Sequence, residues 1–176
     1  MIRSLLLVLA ASVSVGAEPP SASSVMSSAQ AEAASQHKAI LLIFQASWCG
    51  WCHRFDQFRE IPENKAILQK YFVEASLDVL EHGDRKVLEN AGGIEMMKQV
   101  AGMEEGLPFF AFLNAEGRVI ATAHRPGDFR PEAGNIGYPN KPWEIDWFMT
   151  ILRKAAPEMA TDEARVLEKS LRARAQ

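Results

Sequence analysis

Residues 48–53 read Trp-Cys-Gly-Trp-Cys-His and lie three residues after the apolar run Ile40-Leu41-Leu42-Ile43-Phe44. Cys49 and Cys52 are the only two cysteines of the chain. The apolar run predicts a strand buried in a sheet, and a helix is expected to start at the motif. The free N–H groups and the dipole of such a helix start favour the thiolate form of the first cysteine, which is the reactive form. This stretch therefore predicts a redox-active pair at the edge of an α/β sheet.

The composition of the chain is that of one ordinary globular domain. It has 176 residues, of which 48% are hydrophobic and 23% are charged. The formal charge is −3, which gives no reason to expect nucleic acid as a partner.

The N-terminus has the pattern of an export signal. Arg3 precedes an apolar run at 5–15, and Val15-Gly16-Ala17 offers the small residues that a signal peptidase reads. Residues 1–17 are predicted to be a signal peptide and residues 18–24 a flexible lead-in, so the mature protein would be periplasmic or secreted, without a stable membrane anchor. The apolar core is shorter than the about 20 residues that span a bilayer, although an uncleaved anchor or a buried helix stays an alternative.

Export leaves several meanings open for the two cysteines. A disulfide across so short a loop constrains the unfolded chain very little, which makes a purely structural role a poor explanation. Soft sulfur ligands favour copper(I), so Met96, Met97 and Met103 leave a metal site as another alternative. Methionines on a helix are more often core residues. We therefore predict neither a bound metal nor a cofactor.

The remaining pattern predicts alternating helices and strands and ends in helices. The predicted elements are a helix at 25–37, a strand at 39–45, a helix from the motif to residue 60, a short helix at 64–70, a strand at 71–77, helices at 84–90 and 94–101, a hairpin of 107–113 and 118–123, and helices at 142–154 and 161–172. Thr161 is predicted to be the N-cap of the last helix. Gly and Pro recur between His124 and Pro142, which predicts a long loop of the kind that is functional or mobile.

The order of these features resembles the thioredoxin fold. The resemblance is carried by Phe44 to Cys52, by Gly106-Leu107-Pro108-Phe109 and by the turn at Glu116-Gly117. It implies an α/β domain with a central mixed sheet flanked by helices, covering residues 25–156, with a helical insertion before the proline. Residues 157–176 would add a C-terminal helix. The motif is similar to that of exported bacterial thioredoxin-like proteins with a Cys-Gly-Trp-Cys site.

The resemblance also implies roles for the site residues. Cys49 would be the exposed nucleophile and Cys52 the resolving thiol. Pro108 matches the family's cis-proline, which packs beside the disulfide. The backbone of Leu107 would pair with an extended peptide of the partner, as in strand addition at a sheet edge.

The chain departs from thioredoxin at functionally important positions. Trp51 stands where thioredoxin has Pro, and the residue between the cysteines tunes the reduction potential. The buried Asp of thioredoxin would fall at Ile43, so the proton of Cys52 needs another acceptor. Glu74, in the next strand, is the predicted acceptor, because a buried carboxylate is suited to taking a proton near neutral pH. The alternative is a polar residue at a strand edge.

Three further residues of the motif are candidates for supporting roles. His53 follows Cys49 by four residues, and its protonated ring would favour the Cys49 thiolate, unless it is simply a solvated surface residue. Trp48 and Trp51 are predicted to form an apolar platform on which a partner peptide docks.

These features together predict a thiol–disulfide oxidoreductase that acts on protein thiols and disulfides and is recycled by a further redox partner. A reductase is favoured over an oxidant, because a strong oxidant needs a greatly stabilised thiolate and only His53 indicates one. An oxidase or isomerase is the second hypothesis. The third is a module that binds a partner beside Pro108 and turns over little.

Overall fold

A computed structural model describes residues 18–125 and 134–175 of the chain. The strands are β1 (Ala39–Gln45), β2 (Phe72–Asp78), β3 (Phe109–Leu113) and β4 (Val119–Thr122). The helices are α1 (Ala22–Gln36), α2 (Gly50–Arg59), α3 (Pro62–Tyr71), α4 (Gly93–Ala101), α5 (Pro142–Ala155) and α6 (Thr161–Arg172), with a 3₁₀ helix at Gly83–Leu88. The predicted signal peptide, residues 1–17, lies outside the described residues.

The four strands form one mixed sheet in the order β2-β1-β3-β4. β1 pairs in parallel with β2 and antiparallel with β3, and β3 pairs antiparallel with β4. The apolar run 40–44 explains the central place of β1, since its five side chains are all buried and need cover on both faces. The predicted α/β class, mixed sheet and hairpin are confirmed, and the connection between β2 and β3 is helical as expected.

Aromatic side chains fill much of the core between sheet and helices. Those that are almost fully buried are Phe44, Phe55, Phe58, Phe72, Phe109, Phe110, Phe112 and Phe148. Phe148 of α5 meets Phe55 and Phe58 of α2 edge-on, with ring centroids 6.3 and 6.2 Å apart. It also meets Phe110 of β3, at 5.6 Å. These contacts fix the helix that carries Cys52 against both the sheet and α5.

Three local predictions need correction. α1 begins at Ala22, because the Ser21 side chain accepts a hydrogen bond from the Ser24 N–H and caps the helix, so residues 22–24 are helical rather than part of a lead-in. The predicted helix at 84–90 is a 3₁₀ helix that ends at Leu88. The N-cap of α6 is Ala160, without a side-chain cap, and Thr161 is already helical.

Within residues 18–125 and 134–175, none of the helices has the length and apolar character needed to cross a membrane.

Candidate redox site

The two cysteines lie at the start of α2, directly beyond the carboxyl end of β1. Cys49 is the N-cap residue of the helix, and its Sγ accepts a hydrogen bond from the Cys52 N–H at 3.1 Å. The two sulfurs form a disulfide, with the Cα atoms 5.2 Å apart. Gly50 stands at the first helical position between them, with nothing within 4 Å of where a Cβ would lie. A helix start therefore presents an N–H donor to Cys49, as the motif predicts.

The disulfide is more deeply buried than expected. Cys49 is 4% exposed and Cys52 2%, and both pack with Ala46 and Leu107. The prediction of an exposed Cys49 is wrong for the disulfide form, because Leu107 and Ala46 cover the pair. The position of Cys49 at the helix N-cap, rather than its exposure, distinguishes it from Cys52.

The segment that packs on the disulfide contains the predicted proline. The Leu107–Pro108 peptide bond is cis, as the resemblance implies. Leu107 is half-buried and lies against the cysteines, and β3 begins directly after Pro108. The redox pair and the start of β3 are therefore adjacent, although 56 residues separate Cys52 from Pro108.

Two half-exposed indoles flank the disulfide. Trp48 is 46% exposed, stacks on His82 with ring centroids 5.2 Å apart and donates its indole N–H to the Leu80 carbonyl at 2.8 Å. Trp51 is 45% exposed and stacks on Tyr138 at 6.2 Å. Both rings are thus held in place on one side and remain accessible on the other.

A cavity of about 410 Å³ adjoins Trp51 and Leu107. Its other walls include Asn135 and Tyr138, from the segment between β4 and α5. The described part of the long predicted loop therefore lies at the redox site. Burial raises the pKa of Tyr138 above its ordinary value.

A buried polar network fastens the segment before Leu107. Glu105 is 7% exposed and accepts hydrogen bonds from His124 Nε2 at 3.0 Å and from Asn135 Nδ2 at 3.1 Å. Asn135 also donates to the Gly106 carbonyl at 2.8 Å, and His124 Nδ1 lies 2.9 Å from Thr122 Oγ1. This network joins the residues beside the disulfide to β4 and to the loop that lines the cavity.

Replacing Glu105 by Ala is expected to lower the free energy of unfolding by about 2 kcal/mol, because the partly buried side chains of His124 and Asn135 each lose one hydrogen-bond acceptor. Urea unfolding followed by circular dichroism measures the change. Glu104→Ala is the matched control, since the neighbouring side chain is 51% exposed and pairs with Lys98 at 3.5 Å. It is expected to cost less than about 0.5 kcal/mol. Equal losses for the two variants would contradict the structural importance of the network.

The two predicted supporting residues lie in different elements, His53 in α2 and Glu74 in β2. His53 Nε2 lies 3.0 Å from the Ser47 carbonyl, to which it must donate. Glu74 pairs in the sheet with Leu41, and its carboxylate is bound by Arg59, which also binds Asp56. Glu74 is thus far from the strand end where the cysteines lie. The roles of His53 and Glu74 stay predictions.

The sequence interpretation did not identify several polar residues around the site. Glu81, 2% exposed, accepts hydrogen bonds from the Ser47 N–H at 2.6 Å and the Ser47 hydroxyl at 2.8 Å. Gln45 donates to Asp78 at 3.2 Å. Gln45 ends one predicted strand and Asp78 directly follows the next, which was a usable signal, because the carboxyl ends of parallel strands meet at one edge of a sheet. Glu81 lies in a loop and had no such signal.

Comparison with known proteins places these features in context. The model of a family described as Thioredoxin-like matches residues 22–115. A search of curated proteins found no match. The chain is similar to a solved disulphide isomerase from Xylella fastidiosa Temecula1, with 24% identity and a TM-score of 0.48, over 68% of this chain and 80% of that one. It is also similar to a DsbH oxidoreductase, with 20% identity and a TM-score of 0.46, over 88% of this chain and 95% of that one.

Proposed function

This chain belongs to the Thioredoxin-like family, and on that premise we propose that it reduces disulfides of partner proteins outside the cytoplasm. The family, the fold and the Cys49–Cys52 disulfide make it a thiol–disulfide oxidoreductase. The observation that carries the proposal is the position of this disulfide, at the first turn of α2 and against Leu107.

The reaction starts from the dithiol form. The Cys49 thiolate attacks one sulfur of the partner disulfide, a mixed disulfide forms, and the other partner sulfur leaves as a thiolate that takes up a proton. The Cys52 thiol then loses its proton and attacks Cys49 Sγ, which releases the second partner thiol. Two electrons and two protons pass to the partner, and the Cys49–Cys52 disulfide results. This balance requires a further redox partner that supplies two electrons and two protons to regenerate the dithiol.

Substrate binding is assigned to the surface around the disulfide. The backbone of Leu107 lies beside the cysteines at the start of β3, where an extended peptide can add as a strand. Trp48 and Trp51 offer half-exposed rings on either side of the pair, and exposed aromatic rings favour partner contact. The cavity beside Trp51 leaves room for a side chain of that peptide.

The way in which the Cys49 thiolate is stabilised supports one direction of electron flow. A strong oxidant needs a greatly stabilised Cys49 thiolate. Cys49 receives the Cys52 N–H, whereas the Nε2 of His53 is engaged by the Ser47 carbonyl. This arrangement supports a reductase, and the apolar segment at 5–15 supports export.

A redox titration of the purified protein against a thiol buffer tests the direction. We expect a reduction potential of about −270 mV, which is typical of reducing members of the fold. The Cys49→Ser variant is the control, because it has no pair to titrate. A reduction potential of about −120 mV would overturn the reductase assignment and favour an oxidant.

A further inference from the structure

Gln45 and Asp78 form a polar pair at the carboxyl end of the two parallel strands. They are direct partners in the β1–β2 register, and Gln45 Nε2 donates to Asp78 Oδ1 at 3.2 Å. The other polar atom of the amide, Gln45 Oε1, is buried and has no hydrogen-bond partner among the described residues. A buried acceptor without a donor is costly, so this oxygen is a place where a donor is expected.

The pair faces α2. Leu41 and Glu74 are register partners, and Arg59 of α2 binds the Glu74 carboxylate, so α2 covers the face of the sheet on which Glu74 lies. Side chains alternate between the two faces of a strand. Gln45 and Asp78, each four residues further along their strands, therefore lie on the same face, below α2.

The pair also lies at the level of Cys52. α2 starts beyond the end of β1 and runs back over the sheet. Cys52 precedes Arg59 by seven residues, which is two helical turns, so the two share a helix face and lie about 10 Å apart along the axis. Asp78 follows Glu74 by four strand residues, which is about 13 Å. The similar offsets place the buried Cys52 sulfur over the end of the sheet that carries Gln45 and Asp78.

The charges that face Asp78 are mostly negative. Burial raises the pKa of Asp78, and the carboxylates of Glu81 and Asp56 raise it further, against the hydrogen bond from Gln45, which lowers it. Of the cations in this region, Arg59 of α2 is bound by Asp56 and Glu74, and Arg85 donates to the Ser47 hydroxyl at 3.2 Å. When ionised, Asp78 therefore adds a negative charge below Cys52.

We infer that Gln45 and Asp78 are positioning residues for Cys52, with Gln45 Oε1 accepting the Cys52 S–H of the dithiol form and Asp78 disfavouring the Cys52 thiolate. Both interactions favour the neutral thiol. This inference rests on the proposed function, and it implies the order in which the two cysteines react. Cys49 attacks first while Cys52 keeps its proton; when Cys52 then attacks Cys49, it loses that proton as the departing partner thiolate gains one.

The test is a pH titration of Cys52 as the only thiol of the Cys49→Ser protein. The ultraviolet absorbance of the thiolate is the readout. Adding Asp78→Asn is expected to lower the titration midpoint by about one pH unit, and Asp78→Glu should restore it. Glu74→Gln is the matched control on the same strand and face. Its charge is already paired and lies further away, so the midpoint should move by less than about 0.3 pH unit.

A second measurement needs no change at Asp78. The ¹³Cγ shift of Asp78 in the Cys49→Ser protein should show an inflection at the pH where Cys52 ionises, and Cys49→Ser/Cys52→Ala should remove it. The inference is overturned if Asp78→Asn folds and leaves the midpoint unchanged, if Glu74→Gln moves it equally, or if the inflection is absent. Neither measurement involves a partner, so their failure would leave the proposed exchange activity untouched.

Discussion

Replacing Cys52 by Ser is expected to convert the protein into a covalent trap for its partners. Cys49 keeps its place at the N-cap of α2 and still forms the mixed disulfide, but the sulfur that releases the partner is gone. In the native protein Cys52 releases the partner in an intramolecular reaction. Without Cys52, the release of the partner should be slower by on the order of 10³-fold or more. Non-reducing electrophoresis of extracts from cells that make the variant should show adducts that disappear with dithiothreitol.

The matched control is Cys49→Ser. Its remaining thiol, Cys52, lacks the N-cap position that favours the thiolate of Cys49, so we expect no adducts. A protein that binds partners without turning over would behave differently. It would retain non-covalent binding in both variants and give no dithiothreitol-sensitive band, and that result would contradict the proposed oxidoreductase reaction.

The sequence predicted the parts of the fold that depend on local pattern. The apolar run 40–44 predicted β1 with its exact bounds, and Pro142 predicted the start of α5, since proline suits a first helical turn. The failures are at helix ends. The start of α1 depends on the hydrogen bond from Ser24 to Ser21, and polar residues such as Thr161 are acceptable both as caps and inside the first turn. Periodicity does not distinguish these alternatives.

The residues of the redox site likewise include some that the sequence predicted and others that only the structure identifies. The cysteines, Leu107 and Pro108 belong to short motifs and were visible in the sequence. Glu105 was not, because its partners His124 and Asn135 follow it by 19 and 30 residues and only the folded loop brings them together. Glu74 was predicted to lie in the next strand, as it does, but its distance along the strand from the cysteines and its pairing with Arg59 were not readable. Tertiary contacts, rather than propensities, decide these positions.

Replacing Phe148 by Ala is expected to cause the largest loss of stability, about 3–5 kcal/mol. The ring is fully buried, and it contacts two elements, α2 through Phe55 and Phe58 and β3 through Phe110 and Phe112. Its removal takes away the transfer free energy of a phenyl group and leaves a cavity whose rigid aromatic walls cannot close. For a domain of this size the melting temperature should fall by about 10 °C.

The Trp143→Ala variant shows whether burial or side-chain size determines the loss in the free energy of unfolding. Trp143 lies on the same helix and is larger, but it is 39% exposed, so its loss should cost less than about 1.5 kcal/mol. Differential scanning calorimetry of both variants, in oxidised and reduced forms, measures the difference. Phe148 stabilises α2 through Phe55 and Phe58 rather than through the disulfide, so its loss should be similar in the two redox states. Equal losses for Phe148→Ala and Trp143→Ala would contradict the aromatic cluster as the element that holds the redox helix against the sheet.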